Sequence, residues 1–139
     1  MQEAVTGQTH PDHLTVVLVE DHAVLREQLT LLLADSGIDV LATAATVQAG
    51  YETVLARRPD VAVLDNQLPD GLGVDLCRRL TAQAPGIAVV MHSGAMTSAD
   101  RLEAFEAGAA AVIPKSIRVD ALVQAIKVNA AVSKAPHGC

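Results

Sequence analysis

Short apolar runs alternate along this chain with longer segments whose apolar residues recur at helical spacing. The runs predict strands near residues 14–20, 38–43, 60–65, 87–92 and 109–114. The longer segments predict helices near residues 22–35, 46–57, 72–83, 97–107 and 118–131. This alternation is typical of βα units on a parallel sheet, and right-handed crossovers place helices on both faces of the sheet. We therefore expect an α/β fold with a doubly wound parallel sheet.

The predicted helices carry one apolar face each and end at recognisable stop signals. In the first helix, the apolar face is formed by Leu25, Leu29, Leu32 and Leu33. The first, fourth and second helices are expected to end at Gly37, at Gly108 and at the Arg58-Pro59 step, respectively. These boundaries support the assignment of separate elements rather than one long helix.

A single domain accounts for the length of 139 residues. We expect a flexible leader over residues 1–13, the folded domain over 14–131 and a flexible tail over 132–139. The apolar fraction of 50% supports a core, which must consist mainly of aliphatic side chains because the chain has one Tyr, one Phe and no Trp. Cys77 lies on the apolar face of the third helix and is interpreted as a buried hydrophobic residue.

Charge and hydropathy argue against several classes of protein. The chain has 10 basic and 16 acidic residues, a net charge of −6, which is unsuited to a nucleic-acid backbone. No stretch approaches the roughly 18 apolar residues that span a membrane, and the polar start Met1-Gln2-Glu3 is not a secretory signal. We expect no direct nucleic-acid binding, no membrane association and a cytoplasmic location.

Polar side chains follow four of the predicted strands at the point where each strand ends. The first strand is followed by Glu20 and Asp21, the third by Asp65, the fourth ends near Ser93, and Lys115 follows the last. In an open parallel sheet, ligands bind outside the carboxyl ends of the strands, where the strand order reverses. We therefore expect these five side chains to converge on one site.

The chemistry of this set indicates a divalent cation and a phosphoryl group. Three clustered carboxylates repel one another unless a cation shares the site, and Mg²⁺ prefers oxygen ligands. Asp21 and Asp65 are suited to direct ligation, Glu20 to ligation through water, and a backbone carbonyl of the loop at Asn66 and Gln67 to completing the set.

The same reasoning assigns roles in phosphoryl transfer. Beside a metal ion, Asp65 is suited to act as a nucleophile toward phosphorus. Lys115 provides a point charge for a phosphoryl oxygen, and Ser93 provides a hydroxyl donor for another. Asp65, Ser93 and Lys115 are thus the candidate catalytic residues.

Residues 14–131 resemble the receiver domains of two-component response regulators. Glu20 and Asp21 match the acid pair of that family, Asp65 the phosphoacceptor, Ser93 the switch hydroxyl and Lys115 the invariant lysine. The strings flanking these residues look like the branch whose members often carry a helix-turn-helix output domain, and no output domain is recognised in this sequence. The strings are Val19-Glu20-Asp21-His22-Ala23-Val24-Leu25-Arg26, Arg58-Pro59-Asp60-Val61 and Leu68-Pro69-Asp70-Gly71.

The resemblance implies a flavodoxin-like (βα)5 sheet of strand order 2-1-3-4-5. It also implies Mg²⁺-dependent transfer of a phosphoryl group to Asp65 from a histidine kinase or a histidine phosphotransfer protein, followed by slow self-catalysed hydrolysis. Such a protein is a signalling phosphoacceptor, not an enzyme acting on an external substrate. It acts through phosphorylation-dependent protein–protein interaction, and a homodimer is compatible with this.

Several positions depart from the family pattern or have a purely structural interpretation. The switch aromatic of the family is replaced by Val112, three residues before Lys115, so that Ser93 carries more of any switch. His22 is interpreted as a surface or capping residue, and His92 as a packed one. Asp70-Gly71 is interpreted as a turn that supplies backbone geometry.

Two other functions are compatible with parts of this pattern. A pseudo-receiver would keep the fold as a phosphate-independent interaction module, but the complete five-residue set disfavours it. A metal-dependent phosphatase with an Asp nucleophile needs a second Asp two residues after Asp65, where this chain has Gln67.

Overall fold

The computed structural model describes residues 13–133, so all but the last residue of the predicted leader over 1–13, and residues 134–139 of the predicted tail, lie outside the described part. Its strands are β1 (Leu14–Val19), β2 (Ile38–Ala44), β3 (Val61–Leu64), β4 (Gln67–Leu68), β5 (Gly71–Leu72), β6 (Ala88–Ser93) and β7 (Ala111–Pro114). Its helices are α1 (Ala23–Asp35), α2 (Val47–Arg57), α3 (Gly73–Gln83), α4 (Ser98–Glu106) and α5 (Val119–Ser133). The predicted elements are all present, with ends that differ by one or two residues.

Five strands form one parallel sheet in the order β2-β1-β3-β6-β7. This is the predicted order 2-1-3-4-5, because the short antiparallel pair β4 and β5 lies outside the main sheet and only shifts the numbering. The order reverses between β1 and β3, whose carboxyl ends therefore flank the crevice expected to bind ligands. The flavodoxin-like fold is confirmed.

The core has two apolar layers, one on each face of the sheet. One layer joins β1, β3 and β6 to α2 and α3, through buried residues such as Val19, Leu64, Met91, Leu76 and Leu80. The other layer joins the alternate residues of those strands to α1 and α5, through Leu18, Val63, Val90, Leu29, Leu33, Leu122 and Ile126. Strand residues of both parities are buried, as expected for a parallel sheet that helices cover on both faces.

The predicted apolar face of α1 is wrong in one position. Leu29 and Leu33 are buried and Leu25 is half-buried, but Leu32 is 43% exposed. Leu29 and Leu33 are four residues apart and stack on the same side of the helix. Leu32 is displaced from that seam by about 100° and faces the groove beside the start of α5.

Left-handed residues follow three of the helices at the predicted stops. Gly37 after α1 has φ +83° and Gly108 after α4 has φ +110°, while Arg58 caps α2 with φ 49°. Glycine adopts this conformation without steric cost, which explains the stops after α1 and α4. In residues 13–133, no helix is both long enough and apolar enough to cross a membrane.

Candidate functional site

The carboxyl ends of β1, β3 and β7 bring three charged side chains into direct contact. The Lys115 Nζ lies 2.9 Å from Glu20 Oε1 and 3.2 Å from Asp65 Oδ2. One carboxylate oxygen from each of Glu20, Asp21 and Asp65 lies within 4.8 Å of the others. The structure thus assembles the acid pair, the third carboxylate and the lysine that the sequence places after separate strands.

The three carboxylates differ in how firmly the protein holds them. Glu20 is 1% exposed, and its second oxygen accepts a hydrogen bond from the His22 N–H at 3.1 Å. Its backbone N–H donates to Ala44 on β2, which anchors the turn to the sheet edge. Asp21, in contrast, is exposed. Both Glu20 oxygens are therefore engaged within the protein, while Asp21 is available to a ligand.

Burial sets the acid–base properties of the cluster. It raises the pKa of the Glu20 carboxyl, and the nearby charge of Asp65 acts in the same direction, against the hydrogen bonds from Lys115 and His22. Burial alone would lower the pKa of Lys115, but its contacts with Glu20 and Asp65 outweigh this and leave the pKa raised. The lysine therefore stays charged, but its single positive charge does not bring the pKa of Glu20 back to the ordinary value.

The donor set fits a hard divalent cation. Two of the three carboxylates contact the one ammonium group, and oxygens of all three are close enough to surround a common ion. Oxygen donors with several open positions are the environment that Mg²⁺ prefers. The cleft over these groups has a volume of about 490 Å³, and its wall on the α1 side includes Val24 and Leu25.

Ser93, the last residue of β6, is buried beside the charged cluster. Its backbone carbonyl accepts a hydrogen bond from the Lys115 N–H at 3.0 Å. The residue is 3% exposed, and its hydroxyl has no hydrogen-bond partner among residues 13–133. Buried hydroxyls normally have a partner, so this oxygen is a candidate donor to a ligand of the site.

His92 is packed inside the fold, as the sequence indicates. It is 5% exposed, and its Nδ1 has no partner within the described part of the chain. Burial lowers the pKa of His92 to about 4, with the Lys115 ammonium acting in the same direction and Asp65 opposing. The imidazole is therefore neutral at physiological pH, which argues against a role as a charged phosphate ligand.

The loop after Asp65 is fixed by its neighbours on α3. The Asn66 side-chain oxygen accepts a hydrogen bond from the Val74 N–H at 3.0 Å, and the Asn66 main-chain carbonyl accepts one from the Gly73 N–H at 2.8 Å. A Cβ on Gly73 would overlap the backbone carbonyl of Asp65. Only glycine lets α3 begin this close to the candidate phosphoacceptor.

The β4–β5 hairpin carries Gln67 at the edge of the cleft. The Gln67 N–H lies 3.4 Å from Asp65 Oδ1. At the hairpin turn, the Asp70 carboxylate accepts hydrogen bonds from Val47 and Gln48 at 2.7 and 3.1 Å, which lower the pKa of Asp70. Asp70 therefore caps α2 and anchors the hairpin, a role that the interpretation as a simple turn missed.

Three further residues have roles that the structure makes explicit. His22 is the N-cap of α1, and its Nδ1 accepts a hydrogen bond from the Leu25 N–H, which confirms the capping interpretation. Val112 is 7% exposed and belongs to the core layer under α2, α3 and α4. Cys77 is fully buried, as predicted.

Comparisons with known proteins agree with this geometry. The family model described as response regulator receiver domain matches residues 16–127. The DNA-binding transcriptional activator DevR/DosR of Mycobacterium tuberculosis is 41% identical over 113 residues, which cover 81% of this chain and 52% of that protein. The chain thus spans about half the length of that relative.

Other relatives and solved structures extend the comparison. A protein-glutamate methylesterase/protein-glutamine glutaminase of Anaeromyxobacter dehalogenans is 38% identical over 72% of this chain, but only 28% of that protein is covered. The crystal structure of a LuxR-family two-component response regulator from Aurantimonas superposes with a TM-score of 0.83, at 31% identity and 86% coverage of both chains. A CheY-like receiver domain from Methanospirillum hungatei, at 23% identity and a TM-score of 0.80, supports the fold.

Proposed function

The chain belongs to the response regulator receiver domain family, and from this we propose that Asp65 accepts a phosphoryl group from a phosphohistidine in a Mg²⁺-dependent reaction. The donor is a histidine kinase or a histidine phosphotransfer protein. The observation that carries the proposal is the cluster of Glu20, Asp21 and Asp65 at the switch point of the sheet, with the Lys115 ammonium in contact with Glu20 and Asp65.

In the proposed reaction, the chain's own groups position the phosphoryl group and neutralise its charge. A carboxylate oxygen of Asp65 attacks phosphorus and forms the O–P bond as the N–P bond of the donor breaks. The bonding pair leaves with the imidazole nitrogen, which then takes up a proton. Asp21 and Asp65, together with Glu20 through water and the Gln67 carbonyl, would hold Mg²⁺, which would supply charge neutralisation at the phosphoryl oxygens.

Lys115 and Ser93 act on the phosphoryl group once it is attached. Lys115 already lies within 3.2 Å of an Asp65 oxygen, so a modest movement of its side chain reaches a phosphoryl oxygen. The unpartnered hydroxyl of Ser93 gains an acceptor when a phosphoryl oxygen approaches. This gain makes Ser93 the proposed switch residue in a protein whose Val112 has no ring to reorient.

A phosphate-independent pseudo-receiver is a weaker explanation of the same observations. A buried hydroxyl without a partner costs free energy, on the order of 1 kcal/mol or more. A module that never binds a phosphoryl group has no compensating gain from Ser93. The output is proposed to be a phosphorylation-dependent protein contact, either with a partner or with a second copy. A cytoplasmic location stays a prediction from the sequence.

Nuclear magnetic resonance of the labelled chain separates these two functions. Mg²⁺ is added first and then beryllofluoride, which mimics a phosphoryl group on an aspartate. We expect the amide signals around Asp65, Ser93 and Lys115 to shift in wild type, and the beryllofluoride response to disappear in Asp65→Asn. A wild-type spectrum that does not respond to either addition would support the pseudo-receiver instead.

A further inference from the structure

Arg26 on α1 reaches back to the turn that carries the acid pair. Its Nη1 donates a hydrogen bond to the Glu20 carbonyl at 2.8 Å and lies 3.4 Å from the Asp21 carbonyl. The side chain is half-buried, and its own backbone N–H donates to His22 at the start of the helix. One guanidinium thus joins two successive main-chain carbonyls at the end of β1.

We propose that Arg26 is a positioning residue for the divalent-cation site, acting on the main chain of Glu20 and Asp21. The inference rests on the proposed Mg²⁺ site and adds the element that orients it. Holding both carbonyls on the Arg26 side of the turn directs the carboxylates toward the cleft. The orienting effect should be largest for Asp21, because its side chain is exposed, whereas that of Glu20 is buried and held by other contacts.

The contacts of Arg26 distinguish this role from charge neutralisation. Within residues 13–133, no carboxylate lies within ion-pair distance of its guanidinium, whereas Lys115 pairs with both Glu20 and Asp65. Both contacts come from Nη1, whose two N–H groups have fixed directions in the guanidinium plane, and this suits two adjacent carbonyls better than the rotating donors of an ammonium group do. Arg26 therefore constrains the turn without competing with a cation for its carboxylate ligands.

Positioning and plain electrostatics predict opposite results when the charge is removed. A positive charge near a cation site repels the cation, so its removal alone would strengthen the binding of every divalent ion. Loss of a positioning contact weakens binding instead, and it weakens Mg²⁺ most. Mg²⁺ demands near-octahedral geometry at short distances, whereas Ca²⁺ tolerates irregular sites.

The test is to measure Mg²⁺ and Ca²⁺ dissociation constants by calorimetry for wild type, Arg26→Gln, Arg26→Lys and Arg79→Gln. Arg79 is the control, because it stacks on Tyr51 at the contact of α3 with α2 and its replacement removes the same net charge. We expect Arg26→Gln to weaken Mg²⁺ binding roughly tenfold, as for other residues that orient metal ligands. Ca²⁺ binding should weaken less, Arg26→Lys should be intermediate, and Arg79→Gln should match wild type.

Unchanged or tighter Mg²⁺ binding in Arg26→Gln would overturn the inference, and so would equal losses for the two ions. Arg26→Lys keeps the charge and the aliphatic stem, so it tests the fixed donor geometry of the guanidinium group if the glutamine variant folds poorly. The proposed function is tested separately by wild type, which must bind Mg²⁺. A wild type that does not bind Mg²⁺ would contradict the proposed function itself. A wild type that binds and a variant that binds equally well would leave that function intact and remove only the role of Arg26.

Discussion

At the scale of single residues, the site is short of positive charge. The Lys115 ammonium forms ion pairs with both Glu20 and Asp65, and Asp21 has no ion-pair partner within the described residues. The sequence predicted which residues meet, because each follows an apolar strand and the sheet order fixes where strand ends converge. It did not predict that Glu20 is held at both oxygens, since the His22 N–H contact depends on the path of the turn.

This difference leads to a ranked prediction for metal binding. Asp21→Asn and Asp65→Asn should weaken Mg²⁺ binding by at least about tenfold, because each removes a charged ligand. Glu20→Gln should weaken it less, because both Glu20 oxygens are already engaged by Lys115 and His22. Mg²⁺ titrations followed by amide shifts provide the comparison. Equal losses in Glu20→Gln and Asp21→Asn would show that Glu20 is a direct ligand.

His92 predicts a pH dependence of stability. Its pKa is about 4 in the folded protein and near the ordinary 6.5 when unfolded, so in this range the unfolded chain binds more protons. The free energy of unfolding should therefore fall as pH decreases, by about 2 kcal/mol between about pH 7 and about pH 5 from this residue alone. Urea denaturation of wild type and His92→Gln isolates this contribution. Identical pH profiles for the two proteins would contradict it.

At the scale of elements, helix starts and one short hairpin hold the site in place. The five βα units were predictable because their apolar periodicity is strong. The β4–β5 hairpin was not predicted, since two-residue strands carry no periodic pattern. The cap from Asp70 to Val47 joins residues 23 apart in sequence, and no local signal indicates that contact. Likewise, the sequence indicated no contact for Arg26, which appeared only as the last residue of a string that resembles the receiver family.

The contact between α3 and the Asp65 loop can be tested with two glycines. Gly73→Ala should destabilise the fold by roughly 2 kcal/mol, because the new methyl group meets the rigid Asp65 backbone and not a flexible side chain. Gly86→Ala is the matched control, since a methyl group added at Gly86 meets no atom of residues 13–133 within 4 Å beyond its chain neighbours. Urea denaturation measures both variants. Similar stabilities would mean that α3 does not constrain the Asp65 loop.

At the scale of the whole molecule, the proposed function requires a route from Asp65 to a surface that binds a partner, and the elements that adjoin Ser93 and Lys115 are α4, β7 and α5. Ser93 ends β6, the strand that leads to α4, and its backbone pairs with Lys115 after β7. Val112 is already buried and aliphatic, so it cannot alternate between an exposed and a buried ring. A ligand shifts a conformational equilibrium only through contacts that differ between the states. We propose that in this chain Ser93 and Lys115 make those contacts.

In Ser93→Ala, a phosphoryl mimic bound at Asp65 should therefore no longer change the surface of α4 and α5. With beryllofluoride bound, wild type is expected to show modest shifts on α4 and α5, and Ser93→Ala to lose them while still binding the mimic near Asp65. Val112→Tyr is the complementary variant and should enlarge the response, because it restores a ring that can move. Amide shifts and sedimentation of the three proteins report both local change and self-association. A large wild-type response that Ser93→Ala retains in full would rule out a hydroxyl-centred switch.

Phosphorylation of Asp65 is the central claim, and intact mass after incubation with acetyl phosphate and Mg²⁺ tests it most directly. We predict a single phosphoryl adduct on wild type that requires Mg²⁺ and is released by hydroxylamine, as expected of an acyl phosphate. Asp65→Asn should remain unmodified, because its amide has nearly the same shape but lacks the nucleophilic anion. Asp60→Asn alters a carboxylate that hydrogen-bonds Thr15 at the opposite end of the sheet and should leave the adduct unchanged. An adduct of full intensity on Asp65→Asn, or none on wild type, would contradict the claim.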